Sequence, residues 1–254
     1  MNLLICFLFL LASYTCVHAR EIGETEITAE EGIEVFQNEK YYLLKKNVII
    51  ESDNFRLLGD IVNIFFEKDL YDIKKVEAEG NVKLNSLEHK LIAEGNKLKF
   101  EVESEKIFIS GKNSKLNTKD IQMLSDGEIE VSNISGDFFI KGKNSSLNAQ
   151  DIYILGNKID GKFDTTEISN KIIFLDVFDK DIGYVKTENT DMYANVIKYN
   201  DSISLIELEN NVKIIRDGET ITGDYGTLDT NTNSYKVKSN NTKKVKVIIK
   251  DTNE

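Results

Sequence analysis

A chain of 254 residues with no proline, no tryptophan, 15 glycines and 41% hydrophobic residues, punctuated throughout by Asn, Asp, Ser and Lys, is composed for short strands and polar turns rather than for helices. Its 32 Lys and Arg stand against 43 Asp and Glu, and the net charge of −11 argues against nucleic acid or an anionic membrane face as partner. The length admits two domains, but no low-complexity linker or Pro-Gly hinge divides the chain, so one continuous unit over 20–254 is expected.

Met1 to Ala19 carry no Asp, Glu, Lys or Arg, and their apolar run from Leu3 to Ala12 is too short to span a membrane, which takes roughly twenty residues. Val17-His18-Ala19 follows with small residues at the two positions a signal peptidase reads, so 1–19 is expected to be a signal peptide cleaved before Arg20. No Lys or Arg precedes the apolar run, which keeps an uncleaved anchor as the alternative; a lipid anchor at Cys16 is disfavoured by the bulky Tyr14 and Thr15. Both cysteines, Cys6 and Cys16, lie in this leader. The mature chain must therefore hold together without disulfides, by core and strand pairing alone.

Glu24 to Phe36 reads as a first strand pair turning near Glu31-Gly32. Asn47-Val48 then opens a unit that the chain repeats. Val76 to Leu84 reads V-E-A-E-G-N-V-K-L and Ile206 to Ile214 reads I-E-L-E-N-N-V-K-I, each with one apolar and one polar parity, the mark of a half-buried strand. Thirteen residues after Asn47, Asn81 and Asn211 stand Asp60, Glu94 and Asp224, and roles in turns or caps at strand starts suit these carboxylates. The 34 residues from Asn47 to Asn81 make each unit a few short strands. Val62, Ile64 and Phe66 alternate with Ile61, Asn63 and Phe65 in a strand apolar on both sides; Leu98, Phe100 and Val102 repeat the theme, with Ile107 and Ile109 on the return.

Between 111 and 186 the repeat loosens. L-N-T-K-D-I (Leu116 to Ile121) and L-N-A-Q-D-I (Leu147 to Ile152) look like its Asp-bearing half, and Thr187 to Val237 restores it. The last segment, Lys243 to Lys250, is lysine-flanked and strand-like.

The candidate interior is read from the apolar parity: Val62, Ile64 and Phe66; Val76, Ala78, Val82 and Leu84; Leu98 and Phe100; Ile206, Leu208, Val212 and Ile214. A roll of such strands can leave a slot between two sheets for an elongated apolar ligand, although periodicity alone is met equally by a packed core. Chemistry for catalysis is missing. His89 is the one histidine of the mature chain and reads as an exposed turn residue, so triads and His-based zinc sites are excluded within one chain. Asp229 to Asn233 has the look of a calcium loop, but Ser234 and Asn240 stand where glycine and glutamate are needed, so it reads as a hairpin turn. No catalytic residue, metal site or cofactor is assigned.

I-T-A-E-E (Ile27 to Glu31), the Asn47-Val48 and Gly59-Asp60 pair, A-E-G-N-V-K-L (Ala78 to Leu84) with I-A-E-G (Ile92 to Gly95), and N-N-V-K-I with T-G-D (Asn210 to Ile214, Thr222 to Asp224) resemble the LptA/OstA family of periplasmic lipopolysaccharide-transport proteins. The resemblance covers about 22–111 and 187–237, and Asn210 departs from the glycine of the G-N-V pattern. It implies an elongated antiparallel β-jellyroll, open at both ends, whose interior takes lipid A acyl chains. It also implies a periplasmic location and end-to-end assembly between an LptC-like inner-membrane protein and an LptD-like outer-membrane protein. The assembly edges would be Glu24, Glu26 and Ile27 at one end and Val245, Val247 and Ile249 at the other, with Lys243, Lys244, Lys246 and Lys250 as the charges that ordinarily guard an edge. Two alternatives stay open: a membrane-anchored LptC-like member of the same pathway, and a β-solenoid protein acting on polysaccharide, which would carry a carboxylate cluster on an exposed sheet face.

Overall fold

In a computed structural model the described residues are 22–68, 72–88, 90–149, 152–166, 171–240 and 244–249; the leader with both cysteines, and His89, lie outside them. The fold is all-β, a sheet of 20 strands whose pairings are all antiparallel. β1 (Glu26–Thr28) pairs with the second half of β3 (Tyr41–Glu51), and β2 (Gly32–Phe36) pairs with its first half. The expected turn at Glu31-Gly32 is therefore no hairpin. The Glu30 and Glu31 amides donate to the Lys46 and Lys45 carbonyls at 2.9 and 3.1 Å, which keeps the chain against β3 as one bent edge pass.

β4 (Phe55–Phe66), β5 (Ile73–Ser86) and β6 (Leu91–Glu101) follow side by side. β7 (Lys106–Ser110) and β8 (Ser114–Asn117) lie on the two halves of β6. β9 (Ile121–Ser125) then lies on β8 and β10 (Glu128–Ser132) on β7, with β11 (Asp137–Lys141) on β10 and β12 (Ser146–Ala149) on β9. β13 (Ile152–Leu155) and β14 (Lys158–Phe163) continue on β12 and β11, and β15 (Ile172–Lys186) spans both. β16 (Thr190–Asn200), β17 (Leu205–Arg216) and β18 (Glu219–Asp229) return to long passes; β19 (Ser234–Lys238) and β20 (Lys246–Ile249) close the sheet on the two halves of β18. Each pass lies beside the previous one in strict chain order, and the loose middle of the repeat belongs to the same succession as its regular parts.

Each pass crosses a corner near its middle, and the corners divide the sheet into two arms. The first arm holds β2, β7, β10, β11, β14 and β19 with the matching halves of the long strands; the second holds β1, β8, β9, β12, β13 and β20. The repeated asparagines are the corners. Lys46 and Asn47 (φ 65° and 47°), Gly80 and Asn81 (77° and 48°) and Asn210 and Asn211 (64° and 56°) adopt consecutive left-handed conformations, where the pairing register shifts. Asparagine and glycine tolerate that region best, and the extra residue bends the strand.

The thirteen-residue spacing follows from the hairpins. Asn47 lies across from Asp60 and Asn211 across from Asp224, so these carboxylates sit in mid-strand at the corner and not at strand starts, as the sequence suggested. Glu94 falls short of its corner and pairs with Lys83, because the half-strand Val82 to Ser86 is one residue longer than Val48 to Glu51; the corner of β6 is at Asn96.

The middle corners use different residues. Gly111-Lys112-Asn113-Ser114 and Gly142-Lys143-Asn144-Ser145 are copies of one tetrad, with Asn113 and Asn144 at φ 58° and 55°. The buried Ser114 and Ser145 hydroxyls donate to the Gly111 and Gly142 carbonyls at 2.8 and 2.9 Å. Asp126, at the corner between them, accepts from the Asn113 amide at 3.0 Å and from Asn144 Nδ2 at 2.6 Å, bonds that hold its carboxyl below the usual range. The L-N-T-K-D-I segment is not the corner-forming half of the repeat: Asp120 lies in the turn between β8 and β9, where Ile121 N–H donates to the Thr118 hydroxyl at 3.2 Å. Asp151 of the second copy lies outside the described residues.

The core lies between the arms as one cluster drawn from both, and includes Leu44, Val62, Ile129, Leu147, Ile154 and Leu208, all fully buried. The strand read as apolar on both sides is buried on one. Ile61 is 41% exposed and Phe65 only half-buried, since alternate residues of β4 reach the outer face, where Phe65 meets Tyr41 with ring centroids 5.6 Å apart.

A candidate apolar slot between the arms

Alternation places the apolar parity of every pass inward, and side chains of β4 to β7 line a cavity of 110 Å³ between the arms. Phe55, Leu57, Leu84 and Leu91 line it from the second arm, and Val76, Leu98, Phe100 and Ile107 from the first. Its rim is polar: Asn54, Ser86, Glu88 and Asn133 stand at the hairpin ends. An apolar bore under a polar rim suits an amphiphile with its chain inward.

Four of the thirteen interior residues read from the sequence line this slot: Val76, Leu84, Leu98 and Phe100. Phe100 is half-buried, the others buried. Val62, Ile64, Ala78 and Val82 are buried in the neighbouring core of β4 and β5, and the Phe66 ring lies 5.3 Å from that of Tyr42. Ile206, Leu208, Val212 and Ile214 are buried too, but on β17, which the passes from β8 to β16 separate from the slot. Phe55, Leu57, Leu91 and Ile107 were not in the sequence-derived interior set. Phe55-Arg56-Leu57 alternates in sequence and Leu91-Ile92-Ala93, apolar throughout, alternates only in burial; the pairing of Leu57 with Leu84 and of Leu84 with Ala93 is the extension of the Val82-Leu84 face across the hairpins.

Among the described residues no group of three or more His, Cys, Asp and Glu stands where it could hold a metal ion. Asp229 makes a plain turn, its Oδ1 accepting from the Asn231 and Thr232 amides at 2.9 Å each.

The two edges of the sheet are the first and last passes. β1 and β2 pair only with β3, and β19 and β20 only with β18, among the described strands. Glu26 and Ile27 lie in the first edge strand and Val247 and Ile249 in the last, whereas Glu24 and Val245 precede those strands. Inward-facing side chains are left uncovered there: Ile33 and Val35 are 48% and 46% exposed, Val247 and Ile249 52% and 71%.

The fold and slot define a class, an antiparallel β meander of bent strands with an apolar interior between two arms and an open edge at each end. No family model matches the chain, and no curated protein does. Among solved structures it is similar to LptH, the LptA homologous periplasmic component of the conserved lipopolysaccharide transport device from Pseudomonas aeruginosa. The identity is 9%, the TM-score 0.23, and the match covers 90% of this chain and 96% of that one.

Proposed function

We propose that the chain is a non-enzymatic periplasmic carrier of lipopolysaccharide, holding lipid A acyl chains between its arms and joining end to end with further copies. In this reading an LptC-like inner-membrane protein supplies the cargo and an LptD-like outer-membrane protein receives it. The observation that carries the reading is the slot, walled by apolar side chains of both arms under a polar rim. The LptA/OstA-like motifs support it independently, since their asparagines are the corners that create the two arms.

End-to-end joining is supported by direction and by arm. The first pass runs from the second arm (β1) to the first (β2), and the last from the first arm (β19) to the second (β20). A second copy set against the last edge would thus arrive antiparallel, with its β2 beside β19 and its β1 beside β20. Backbone groups would pair, and Ile33, Val35, Val247 and Ile249 would leave water. The contact is heterologous, so it propagates.

The test is to recover the protein from its native envelope and to ask by mass spectrometry whether lipid A accompanies it. The expected result is lipid A with wild type and its loss with Phe100→Ala. Protein that is folded and lipid-free under conditions that preserve other lipid complexes would overturn the reading.

A further inference from the structure

The outer face of the first arm carries a second concave site, unrelated to the slot. A cavity of 490 Å³ touches Phe139, Phe174, Lys106, Glu130, Asp160 and Lys162, and one of 270 Å³ beside it touches Phe108 and shares Lys106 and Glu130. Together they form a trough that crosses β6, β7, β10, β11, β14 and β15 at right angles to the strands.

Its floor is aromatic. Phe108 pairs with Glu130, Glu130 with Phe139 and Phe139 with Asp160, so the two rings stand two strands apart, about 10 Å. Phe174 extends the floor beyond them and is 40% exposed. None of the three belongs to the core: on each strand they alternate with buried residues, Ile107 and Ile109, Phe138 and Ile140, and Leu175.

The walls are charged but balanced. Lys106 Nζ lies 2.6 Å from Glu130, Lys99 Nζ 2.5 Å from Glu101, Lys158 Nζ 2.7 Å from Asp160 and Lys162 Nζ 3.7 Å from Asp137. In a chain of net charge −11 the trough is lined by Lys99, Lys106 and Lys162 against Glu101, Glu130, Asp137 and Asp160, and Lys158 beside Asp160 brings the local count to four of each sign. It offers donors and acceptors in equal supply and no field to select an ion.

We infer that this trough binds an uncharged, extended polysaccharide. Pyranose rings present C–H faces that pack on Phe rings and hydroxyls that both donate and accept, so a neutral sugar chain can use the floor and both kinds of wall group at once. Two strand spacings are a distance that a short stretch of extended hexose chain covers, which places alternate sugars on Phe108 and Phe139. The Lys158 ammonium, 5.6 Å from the Phe139 ring centroid, would share or yield that face. The site needs no lipid and does not depend on the carrier reading.

The experiment is calorimetric titration of the full chain with linear hexasaccharides of glucose and of N-acetylglucosamine. Wild type is expected to bind at least one, with affinity indifferent to added sodium chloride. Phe139→Ala and Phe174→Ala should each weaken binding at least tenfold. Phe65→Ala, on the same outer face outside the trough, should leave it unchanged. Phe174 is the more exposed, so its variant keeps the test open should Phe139→Ala unfold. Absence of binding to both sugars at millimolar concentration, wild-type affinity in the folded Phe174→Ala variant, or a steep loss of binding with salt would each overturn the proposal.

Discussion

Asn81 Nδ2 donates to Asp60 Oδ2 at 3.1 Å, tying the corner of β5 to the corner of β4 beside it. Gly80, next to Asn81, has φ 77°, and a methyl group built there would overlap the Asp60 carboxylate. Gly80→Ala therefore adds backbone strain to a clash with a neighbouring strand and should cost about 2–4 kcal/mol in chemical denaturation. Asn81→Gly keeps the left-handed conformation and loses one exposed hydrogen bond, so its cost should stay near 1 kcal/mol or below. Equal costs for the two substitutions would refute the corner as the reason for the repeated asparagines.

The alternation of Val76 to Leu84 and Ile206 to Ile214 was legible in the sequence, because side chains on a strand have only two faces and one is buried here. The corners were not. An Asn-Val step looks the same whether it closes a hairpin or bends a strand, and only the pairing of Lys45 with Ile61 and of Val48 with Gly59 distinguishes the two. For the same reason the segment after Glu24 read as a hairpin when both its halves lie on β3. In the middle the signal was present but written in other residues, since the Gly-Lys-Asn-Ser tetrads at 111–114 and 142–145 bend their passes through buried serine hydroxyls. Which buried positions would face a slot rather than close core was beyond periodicity: Leu98 and Leu208 share a pattern, and only the first lines the cavity.

Acyl binding should separate from stability along that line. Leu57 is 1% exposed and lines the slot, so Leu57→Ala should destabilise by about 2–5 kcal/mol. Phe100 is only half-buried, and Phe100→Ala should retain a cooperative unfolding transition while weakening binding of a fluorescent fatty-acid probe several-fold. Each buried methylene of the probe contributes about 0.8 kcal/mol, and among the described residues the rim offers Glu88 but no cation. Affinity should accordingly hold or rise with salt; a steep fall would point to a basic phosphate site outside the slot.

Asp176 sits half-buried on the outer face of β15, with Oδ1 shielded from solvent and without a hydrogen-bond partner among the described residues. Desolvation pushes its carboxyl above the usual range; Lys198 opposes that shift and Asp160 adds to it. A pKa raised in the folded state means that the ionised form opposes folding above that pKa, and that the penalty disappears as pH falls through it. Asp176→Asn should therefore raise the melting temperature at pH 7, and the gain should shrink as the pH approaches about 4. A loss of stability at pH 7 would show that the interaction with Lys198 outweighs the desolvation.

The edges make the last prediction. β20 exposes Val247, Ile248 and Ile249 on a strand that pairs among the described strands with β18 alone, and β2 exposes Ile33 and Val35 at the other end. Lys244 and Lys246 are charges of the kind that keep an edge from pairing, yet Glu24 and Glu26 of the first edge carry the complementary sign. Deleting Lys243 to Glu254 should convert concentration-dependent oligomers to monomers in analytical ultracentrifugation while the β-sheet circular dichroism stays nearly unchanged. A sharper arm uses two variants, Val247→Asp at the last edge and Ile33→Asp at the first. Each alone can form only the contact that its own lesion blocks, so each should be monomeric. Mixed, the intact last edge of the Ile33→Asp chain can meet the intact first edge of the Val247→Asp chain, and the mixture should stop at heterodimers because both outer edges are then blocked. Wild type that stays monomeric at high concentration, or single variants that still form long assemblies, would rule out strand addition between these two edges.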